Sequence, residues 1–506
     1  MKHGILTVVA PIAQGQDDIV RQRLLTMGNG GLPTAPLIGL HFASVSVLGR
    51  YLDAPDDFTP QLLFEASFDG PREDFIDDLV STGGMWLDTV FQDCEGYPPQ
   101  GTQIPQLVKN YLFTHDAGAD CVYIAYPYRS VGQIQQEHQL RDTVARLDYD
   151  DRAMFGLRHL PPPMKRSLVS LIRRQVAAIP ELCGALTPPE RPFVTTYWPA
   201  IADGLIGILA TLIALAAIPK LAGFSASGVY ATTFVLFILS IVLSLLAVWR
   251  PRWKHTATGL LLAAALTIAA KRFETVAMFL QLMDRVLAGL GVVLVVPVIA
   301  LICVVIVWIL FVEAHEWFDT EPPLPSWNAR REDILRPAER LDAQNLLIGL
   351  NRIKAGWFRL LTLRFVLWTI HALKYLDKAG ALAGVSSIHF ARWTIIDRGR
   401  QLLFISHYDG DWDAYLGDFV EEASMGMTAI WSNCTRFPRS WFLFFGGTRD
   451  QRAFKAYARA SQHQTLWVYR AYPQLTVSNI ENHTAIREAL GRPLEAAGLE
   501  DLLRRL

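Results

Sequence analysis

Two Asp-Gly pairs are the most distinctive polar feature of this chain. Asp69-Gly70 and Asp409-Gly410 each follow an apolar stretch that reads as a β-strand. An aspartate at the end of a strand, at the mouth of a barrel or cleft, can serve as a general acid or base. The same residue can instead cap a helix or stabilise a turn, because its carboxylate accepts backbone N–H groups. The sequence leaves both interpretations open.

Histidines occupy matched positions near these aspartates. His41 and His389 each lie on a predicted strand. Because neutral imidazole is a common ligand, both are candidates for binding a metal or haem. A half-buried histidine satisfied by hydrogen bonds is the alternative for each.

One histidine occurs in the second half alone. His407 precedes Asp409 by two residues, whereas the first half has Ser67 at the matching place before Asp69. Function often specialises where two copies of a motif differ. We therefore predict that Asp409, His407, Arg392 and Asp69 are the catalytic residues.

The two halves of the chain share four segments in the same order and with similar spacing. Chance is a poor explanation for four ordered matches, so the sequence predicts an internal duplication. The matched segments are 40–44 with 388–392, 62–70 with 402–410, 94–98 with 434–438, and 125–127 with 471–473.

Each half also predicts the same order of secondary structure, βαββαβ, which is the ferredoxin-like unit. We expect two such α+β repeats to pack as one body, with their sheets face to face or edge to edge, because a single four-stranded sheet leaves a face or an edge uncovered. The predicted strands are 4–12, 39–48, 61–67, 121–126, 345–353, 388–396, 401–406 and 466–471. The predicted helices are 17–27, 72–91, 357–376 and 413–432, with an extra strand at 441–445 and a helix at 450–460.

Between the halves lie apolar runs long enough to cross a bilayer as helices. Runs 201–221, 229–249 and 286–312 are strong. If the halves pack together, the number of crossings is even, so 257–273 becomes a fourth span; otherwise one run is re-entrant or lies flat. The predicted domains are repeat 1 at 1–150, a linker with amphipathic helices at 151–198, a transmembrane helical bundle at 199–315, a linker at 316–342 and repeat 2 at 343–506.

Charge and aromatic residues orient this membrane region. Basic residues precede the first run and follow the second, which predicts a multi-pass protein of an inner or plasma membrane with its globular part in the cytoplasm. The runs contain almost no ionisable groups, which favours an anchor in the lipid bilayer over a transporter. The helix predicted at 357–376 is apolar nearly all round, so it either packs as a core helix or lies at the membrane interface.

Composition excludes some function classes. The net charge is −1, with no basic stripe interleaved with aromatics, which argues against nucleic-acid binding. Five scattered cysteines without a CxxC pair indicate a reducing compartment, with neither a disulfide framework nor a zinc site. We predict no metal site.

The doubled ferredoxin-like layout resembles the dimeric α/β-barrel superfamily, which includes the dye-decolourising haem peroxidases. In those enzymes a GxxDG motif places an aspartate over haem. Segments 66–70 and 406–410 keep the Asp-Gly but lack the first glycine. The resemblance covers 1–145 and 343–490, and it implies haem as a cofactor and peroxidase-like oxidoreductase activity.

Two functions follow as hypotheses. The first is a membrane-anchored enzyme, either a haem-dependent oxidoreductase or one that acts on a lipid-soluble substrate. The second is a non-enzymatic, membrane-tethered module that binds a small hydrophobic ligand or a protein.

Overall fold

Two antiparallel β-sheets and the helices around them form the part of the chain that the structure describes. This structure is a computed structural model. It describes residues 3–28, 32, 37–50, 54–147, 162–187, 300–319, 329–339, 343–373, 382–491, 501, 502, 504 and 505. Residues 1–189 and 315–506 form one compact unit, and residues 190–314 form another. Both ends of the chain therefore contribute to the same α+β unit.

The first half contains four strands and six described helices. In chain order these are β1 (His3–Pro11), α1 (Asp17–Met27), β2 (Leu40–Leu48), β3 (Gln61–Asp69), α2 (Arg72–Thr82), α3 (Gly84–Phe91), α4 (Pro105–His115), β4 (Cys121–Ile124), α5 (Val131–Leu147) and α6 (Pro162–Ala177).

The second half repeats this order with additions near its end. After α7 (Ala300–Phe318) come α8 (Ala329–Leu335), β5 (Gln344–Arg352), α9 (Trp357–Leu373), β6 (Ile388–Ile396), β7 (Gln401–Asp409), α10 (Trp412–Glu421), α11 (Ser424–Trp431), β8 (Ser440–Trp441), β9 (Phe445–Gly446), α12 (Gln451–Ser461), β10 (Gln462–His463), β11 (Thr465–Arg470) and α13 (Val477–Leu490).

The two sheets have matching strand registers. The first sheet has the order β1-β3-β2-β11, and the second has the order β10-β5-β7-β6-β4. In the first, His3 pairs with Asp69; in the second, Gln344 pairs with Asp409. The recurring sequence segments thus occupy equivalent positions in the two sheets.

The last strand of each half pairs with a strand of the other half. β11 lies antiparallel to β2, and β4 lies antiparallel to β6. Each sheet is therefore completed by an edge strand from the distant part of the chain. This exchange holds the two halves together through backbone hydrogen bonds as well as through side chains.

The sheets also pack face to face through side chains that alternate along their strands, as the period of two in a β-strand requires. Leu63 of β3 and Leu403 and Ile405 of β7 belong to one buried apolar cluster with Ile348 and Leu350 of β5. The opposite face of the first sheet packs on its helices, where Phe64 of β3 is fully buried. Of the two arrangements that the sequence allowed, the structure contains the face-to-face packing.

Several element boundaries differ from the sequence predictions. The helix predicted at 72–91 is divided at Gly83, where Gly83-Gly84 combines two residues of low helix propensity. The strand predicted at 441–445 is wrong, because β8 and β9 form a short two-stranded hairpin there.

One helix of the described part of the chain is long and apolar enough to cross a membrane. It is α7, with 19 residues and a mean hydropathy of 2.0. Runs 201–221, 229–249 and 257–273, and the first part of the run at 286–312, lie outside the described residues. The multi-pass bundle therefore stays a prediction.

Candidate functional site

A β-bulge in each sheet positions a histidine. On β2, Leu40 pairs with Phe68 and Phe42 with Ser67, so His41 is an extra residue between them. The register of β6 on β7 shifts in the same way between Ile388 and Phe390, around His389. A bulge re-aims the side chain of its extra residue, and here both histidines turn toward the aspartate at the end of the neighbouring strand.

Each of these aspartates contacts both its histidine and the start of a helix. The Nε2 atom of His41 lies 3.1 Å from Asp69 Oδ1, and His389 Nε2 lies 2.7 Å from Asp409 Oδ1. Asp69 Oδ2 accepts the Val131 N–H at 2.9 Å, at the first residue of α5. Asp409 Oδ2 accepts the N–H of the first residue of α13 at 2.7 Å.

These contacts place a carboxylate at the positive end of each helix dipole. The helix-capping role considered for both aspartates is present in the structure. The capped helices are α5 and α13, which begin far from Asp69 and Asp409 in sequence, rather than the helices that follow the Asp-Gly pairs directly.

Two tyrosines connect the histidines across the halves. Tyr472 OH lies 2.7 Å from His41 Nδ1, and Tyr126 OH lies 2.7 Å from His389 Nδ1. The two hydroxyl oxygens are 2.9 Å apart. The six side chains form one hydrogen-bonded chain, Asp69–His41–Tyr472–Tyr126–His389–Asp409, which we call the central chain. Its histidines and tyrosines are buried, and the aspartates at its two ends are partly buried.

The exchanged edge strands bring these tyrosines into place. Ala471 donates its N–H to the His41 carbonyl at 2.9 Å, and Ala125 donates to the His389 carbonyl at 3.0 Å. Each tyrosine follows directly, so each stands beside the bulged histidine of the other half. Without the exchange, neither tyrosine would reach its histidine.

Burial sets the protonation of the central chain. The pKa of His41 lies below its ordinary value because burial disfavours the charged ring, and Asp69 only partly offsets this. Burial also works to raise the pKa of Asp69, but the hydrogen bond and charge of His41 outweigh it and the pKa lies below its usual range. Burial holds the pKa values of Tyr126 and Tyr472 well above the usual value, so both are neutral phenols.

A second buried cluster lies between the facing sheets. Arg392 Nη2 is 2.9 Å from Glu65 Oε2, and His407 Nε2 is 2.9 Å from Glu65 Oε1. Ser44 donates its hydroxyl to Glu65 Oε1 at 2.8 Å, and Arg392 also donates to Ser67 Oγ at 2.5 Å. We call Ser44, Glu65, Ser67, Arg392 and His407 the intersheet cluster.

The intersheet cluster keeps a charged pair out of water. Burial works to raise the pKa of Glu65, but the charges of His407 and Arg392 outweigh it and hold that pKa at about 2. Burial works to lower the pKa of His407, and the charge and hydrogen bond of Glu65 offset this only in part. Glu65 and Arg392 form a buried ion pair beside this ring. A pair of this kind is costly to break, because one unpaired buried charge would remain.

The predicted catalytic residues thus fall into two groups. Asp69 and Asp409 belong to the central chain, with the predicted ligands His41 and His389. His407 and Arg392 belong to the intersheet cluster, where their partner is Glu65. Asp409 therefore contacts His389, whereas His407 lies beside Glu65.

Sequence reasoning missed Tyr126, Tyr472, Glu65 and His3 as members of these sites. The tyrosines had a signal, since both occur in the recurring Ala-Tyr-Pro segments. Glu65 had one too, since the matched residue of the second half is Ile405. His3 lies on β1, and its Nδ1 atom is 3.5 Å from Asp69 Oδ1.

The histidines of the central chain do not fit as haem ligands. Both ring nitrogens of His41 and of His389 are engaged by an aspartate and a tyrosine, and both side chains are 0% exposed. Neither ring has a free nitrogen for iron. We therefore derive no chemistry from haem at these residues.

His3, His41 and Asp69 also have ligand atoms within 4.8 Å of one another, a spacing suited to a metal ion. However, His3 Nε2 accepts the Tyr128 N–H at 3.1 Å, which places the ring proton of neutral His3 on Nδ1. Metal at Nδ1 would move that proton to Nε2, against the Tyr128 N–H. The geometry therefore favours a hydrogen-bonded cluster over a metal site.

Comparison with known proteins provides no relative: no protein-family model, curated protein or solved structure matches this chain.

Proposed function

We propose that this protein is a multi-pass membrane protein whose cytoplasmic body, made of two ferredoxin-like halves, is a binding module tethered to the bilayer. The observation that carries this proposal is that the hydrogen-bonding atoms of the central chain already have partners within the chain or in the backbone beside it. Both Asp–His pairs direct their polar atoms to partners inside the body, where they connect the two halves. That arrangement suits a scaffold better than an open catalytic centre.

The attachment of α7 supports the membrane tether. Near the C-terminal end of this apolar helix, Glu316 Oε1 lies 2.7 Å from Lys354 Nζ and 2.5 Å from Arg359 Nη2. Asp319 contacts the same lysine at 2.7 Å. Arg359 and Glu316 are buried, so breaking this pair would leave a buried charge without its partner. These ion pairs fix the end of a span-like helix to the body.

Membrane extraction and reporter fusions test the tether and its orientation. We expect the full chain to stay in the membrane pellet at alkaline pH. A fluorescent protein that folds only in the cytoplasm should fluoresce at either terminus, and a periplasmic phosphatase should be inactive at both. Extraction into the supernatant, or termini on opposite sides, would contradict the proposal.

Haem supplementation separates this module from the peroxidase-like enzyme that the resemblance implies. We expect detergent-purified protein to show no Soret band after incubation with haem. A Soret band that disappears in His41→Ala or His389→Ala would instead support the enzyme and refute the argument that the atoms of the central chain already have partners. Haem binding that survives both substitutions would place the haem elsewhere.

A second candidate function is acid–base catalysis on a lipid-soluble substrate at Asp69. It is favoured by an asymmetry: His3 stands beside Asp69, whereas Gln344 takes that place beside Asp409. Burial lowers the pKa of His3 to about 4, which leaves it a neutral base at neutral pH. Turnover that is lost in His3→Gln but retained in Gln344→His would support this candidate.

A further inference from the structure

The central chain contains more contacts that need a bridging proton than it has hydroxyl protons. We call a contact between two polar heavy atoms that one proton can bridge a gap. Each carboxylate only accepts, so Nε2 of His41 and of His389 carries a proton and donates it to its aspartate. Three gaps remain: His41 Nδ1 to Tyr472, Tyr472 to Tyr126, and Tyr126 to His389 Nδ1. With both histidines neutral, only the two phenol protons are present to fill them.

We propose that the central chain binds one additional proton, which it shares between His41 and His389. With that proton on His41 Nδ1, the imidazolium donates to Tyr472, Tyr472 donates to Tyr126, and Tyr126 donates to His389. Every gap is then filled in one direction. Moving three protons by one gap each reverses the direction and places the charge on His389.

The net negative charge of the central chain also favours binding of the additional proton. Asp69 and Asp409 give the chain two negative charges when the histidines are neutral, and the shared proton reduces this to one. Desolvation of an imidazolium opposes the effect and Asp69 offsets it only in part. The third hydrogen bond, which forms only when the additional proton is present, favours that proton further. Among the described residues, the groups that also act on the central chain through their charges include His3, Arg129, His407 and Tyr469.

Asparagine substitutions test the proton count. In Asp69→Asn, the side-chain oxygen can still accept from Val131 while the amide donates to His41 Nε2. That amide moves the ring proton of neutral His41 to Nδ1, so all three gaps fill without an additional proton. Asp409→Asn does the same from the other end. The double variant has four protons for three gaps and must contain a donor–donor clash.

We expect each single asparagine variant of the full chain in detergent to melt within about 2 °C of the parent. The double variant should melt well below the sum of the two single effects. Asp69→Ala and Asp409→Ala are matched controls that remove the partner, and each should lower the melting temperature more than its asparagine counterpart. Additive asparagine effects, asparagine variants as damaged as the alanine variants, or single asparagine variants that melt well above the parent would overturn the shared proton. The last result would show that the parent has an unfilled gap, which one asparagine repairs.

A separate observation concerns the outer face of α9. Trp357, Leu361, Phe365 and Trp368 are 72%, 45%, 54% and 64% exposed, and their spacing of four, four and three residues places them on one side of the helix. The opposite side is buried against the body, for example at Leu363. The helix therefore has two apolar faces, as the sequence indicated, and one of them faces outward.

The end of α7 contacts the first turn of α9 at the buried Phe358, which follows Trp357 of the outer face. The rings of His315 and Phe358 stack at 5.1 Å, and Trp317 and Phe318 nearby in sequence are 69% and 85% exposed. The guanidinium of Arg439 lies 5.5 Å from the centre of the Trp317 ring. Exposed tryptophans with arginines at the end of an apolar helix are typical of a membrane–water interface.

We infer that the outer face of α9 lies in the interfacial region of the bilayer and contacts phospholipid. This inference rests on the membrane tether proposed above. Aromatic and leucine side chains would enter the boundary between headgroups and acyl chains, and the exposed Arg364 would lie at the level of the phosphates.

Photo-crosslinking in membranes tests this contact. A benzophenone amino acid would replace Phe365 or Leu361 in the full chain, in vesicles of phosphatidylethanolamine and phosphatidylglycerol. Met85, which is apolar and 84% exposed on α3, is the matched control position. We expect phospholipid adducts at Phe365 and Leu361 and none at Met85.

Adducts only to protein, whether the same chain or a second copy, would overturn the interfacial placement. Alkaline extraction of the same samples separates the two failures. A chain that is extracted refutes the tether itself. A chain that resists extraction but gives no lipid adduct at α9 refutes the placement of α9 alone.

Discussion

The hydroxyl oxygens of Tyr126 and Tyr472 lie 2.9 Å apart, although the two residues are separated by 346 positions in the sequence. Each tyrosine also contacts the histidine of the opposite half. This contact between two equivalent residues is the centre of a nearly symmetric arrangement. It joins the two Asp–His pairs into one network instead of leaving two separate sites.

The hydroxyls of Tyr126 and Tyr472 should contribute to the free energy of unfolding in a coupled way. Tyr126→Phe and Tyr472→Phe should each reduce the free energy of unfolding by about 1–3 kcal/mol, because each leaves a buried histidine nitrogen without its partner. The double variant should deviate from additivity, as expected for residues in one network. Thermal unfolding of the four proteins measures this coupling.

Tyr415→Phe provides the control for that cycle. Its hydroxyl donates to Ser406 at 2.6 Å, and neither residue belongs to the central chain. Its effect should add to that of Tyr126→Phe within about 0.5 kcal/mol. Equal coupling in the two cycles would mean that the tyrosine contact has no special role.

Breaking the ion pair of the intersheet cluster should cost more than replacing it. Glu65→Leu or Arg392→Leu alone leaves one buried charge unpaired, which should reduce the stability by about 3–5 kcal/mol. The double variant Glu65→Leu/Arg392→Leu should recover much of that loss. Denaturation of the single and double variants decides this, and a double variant less stable than either single one would contradict it.

Stability should decrease as the solution becomes acidic. Burial lowers the pKa of His3 to about 4, so the folded protein binds fewer protons than the unfolded chain below the ordinary value of 6.5. The stabilisation is complete above pH 6.5 and disappears as the pH falls toward 4. His3→Gln, which copies Gln344 of the other half, should make the melting temperature depend less steeply on pH over this window. Part of the dependence should remain, because burial also lowers the pKa of His483 to about 4.

Glu65 stabilises the folded protein in a way that is lost only at lower pH. The substitution His3→Gln should leave that contribution unchanged. The Glu65 pKa of about 2 lies below the ordinary value, so its contribution is present above pH 4.5 and is lost between about 4.5 and 2. A His3→Gln profile parallel to the parent between pH 6.5 and 4 would show that His3 is not responsible for the first window.

Thiol labelling should report whether α7 is in the bilayer. Cys303 of α7 is exposed, whereas Cys94, Cys121 and Cys434 are buried. In intact membranes, a water-soluble maleimide should leave Cys303 of a Cys183→Ser variant unlabelled, because lipid covers it. Ser81→Cys, at an exposed position on α2, should be labelled readily. Rapid labelling of Cys303 in membranes would place α7 in water.

Local pattern predicted much of this architecture. Alternating apolar residues located the strands of both sheets, and the recurring segments identified Asp69 with Asp409 and His41 with His389 as equivalent positions. These features depend on neighbours within a few residues. They survive in the structure because side-chain alternation along a strand is a local property.

The remaining features depend on contacts between distant residues. The pattern of β11 fits the edge of either sheet equally well, so the sequence does not reveal that it pairs with β2. The bulges at His41 and His389 have no turn residue to indicate them. Position along a strand also does not reveal the partner of His407 across the sheets, which is Glu65.

The exchange of edge strands also has a consequence for biosynthesis. Ribosomal synthesis delivers β2 long before β11, so the first sheet has an unprotected edge while the intervening apolar segments are made. An open edge invites pairing with the wrong chain. The nascent protein must therefore either associate with a chaperone or stay partly unfolded until its last strand leaves the ribosome.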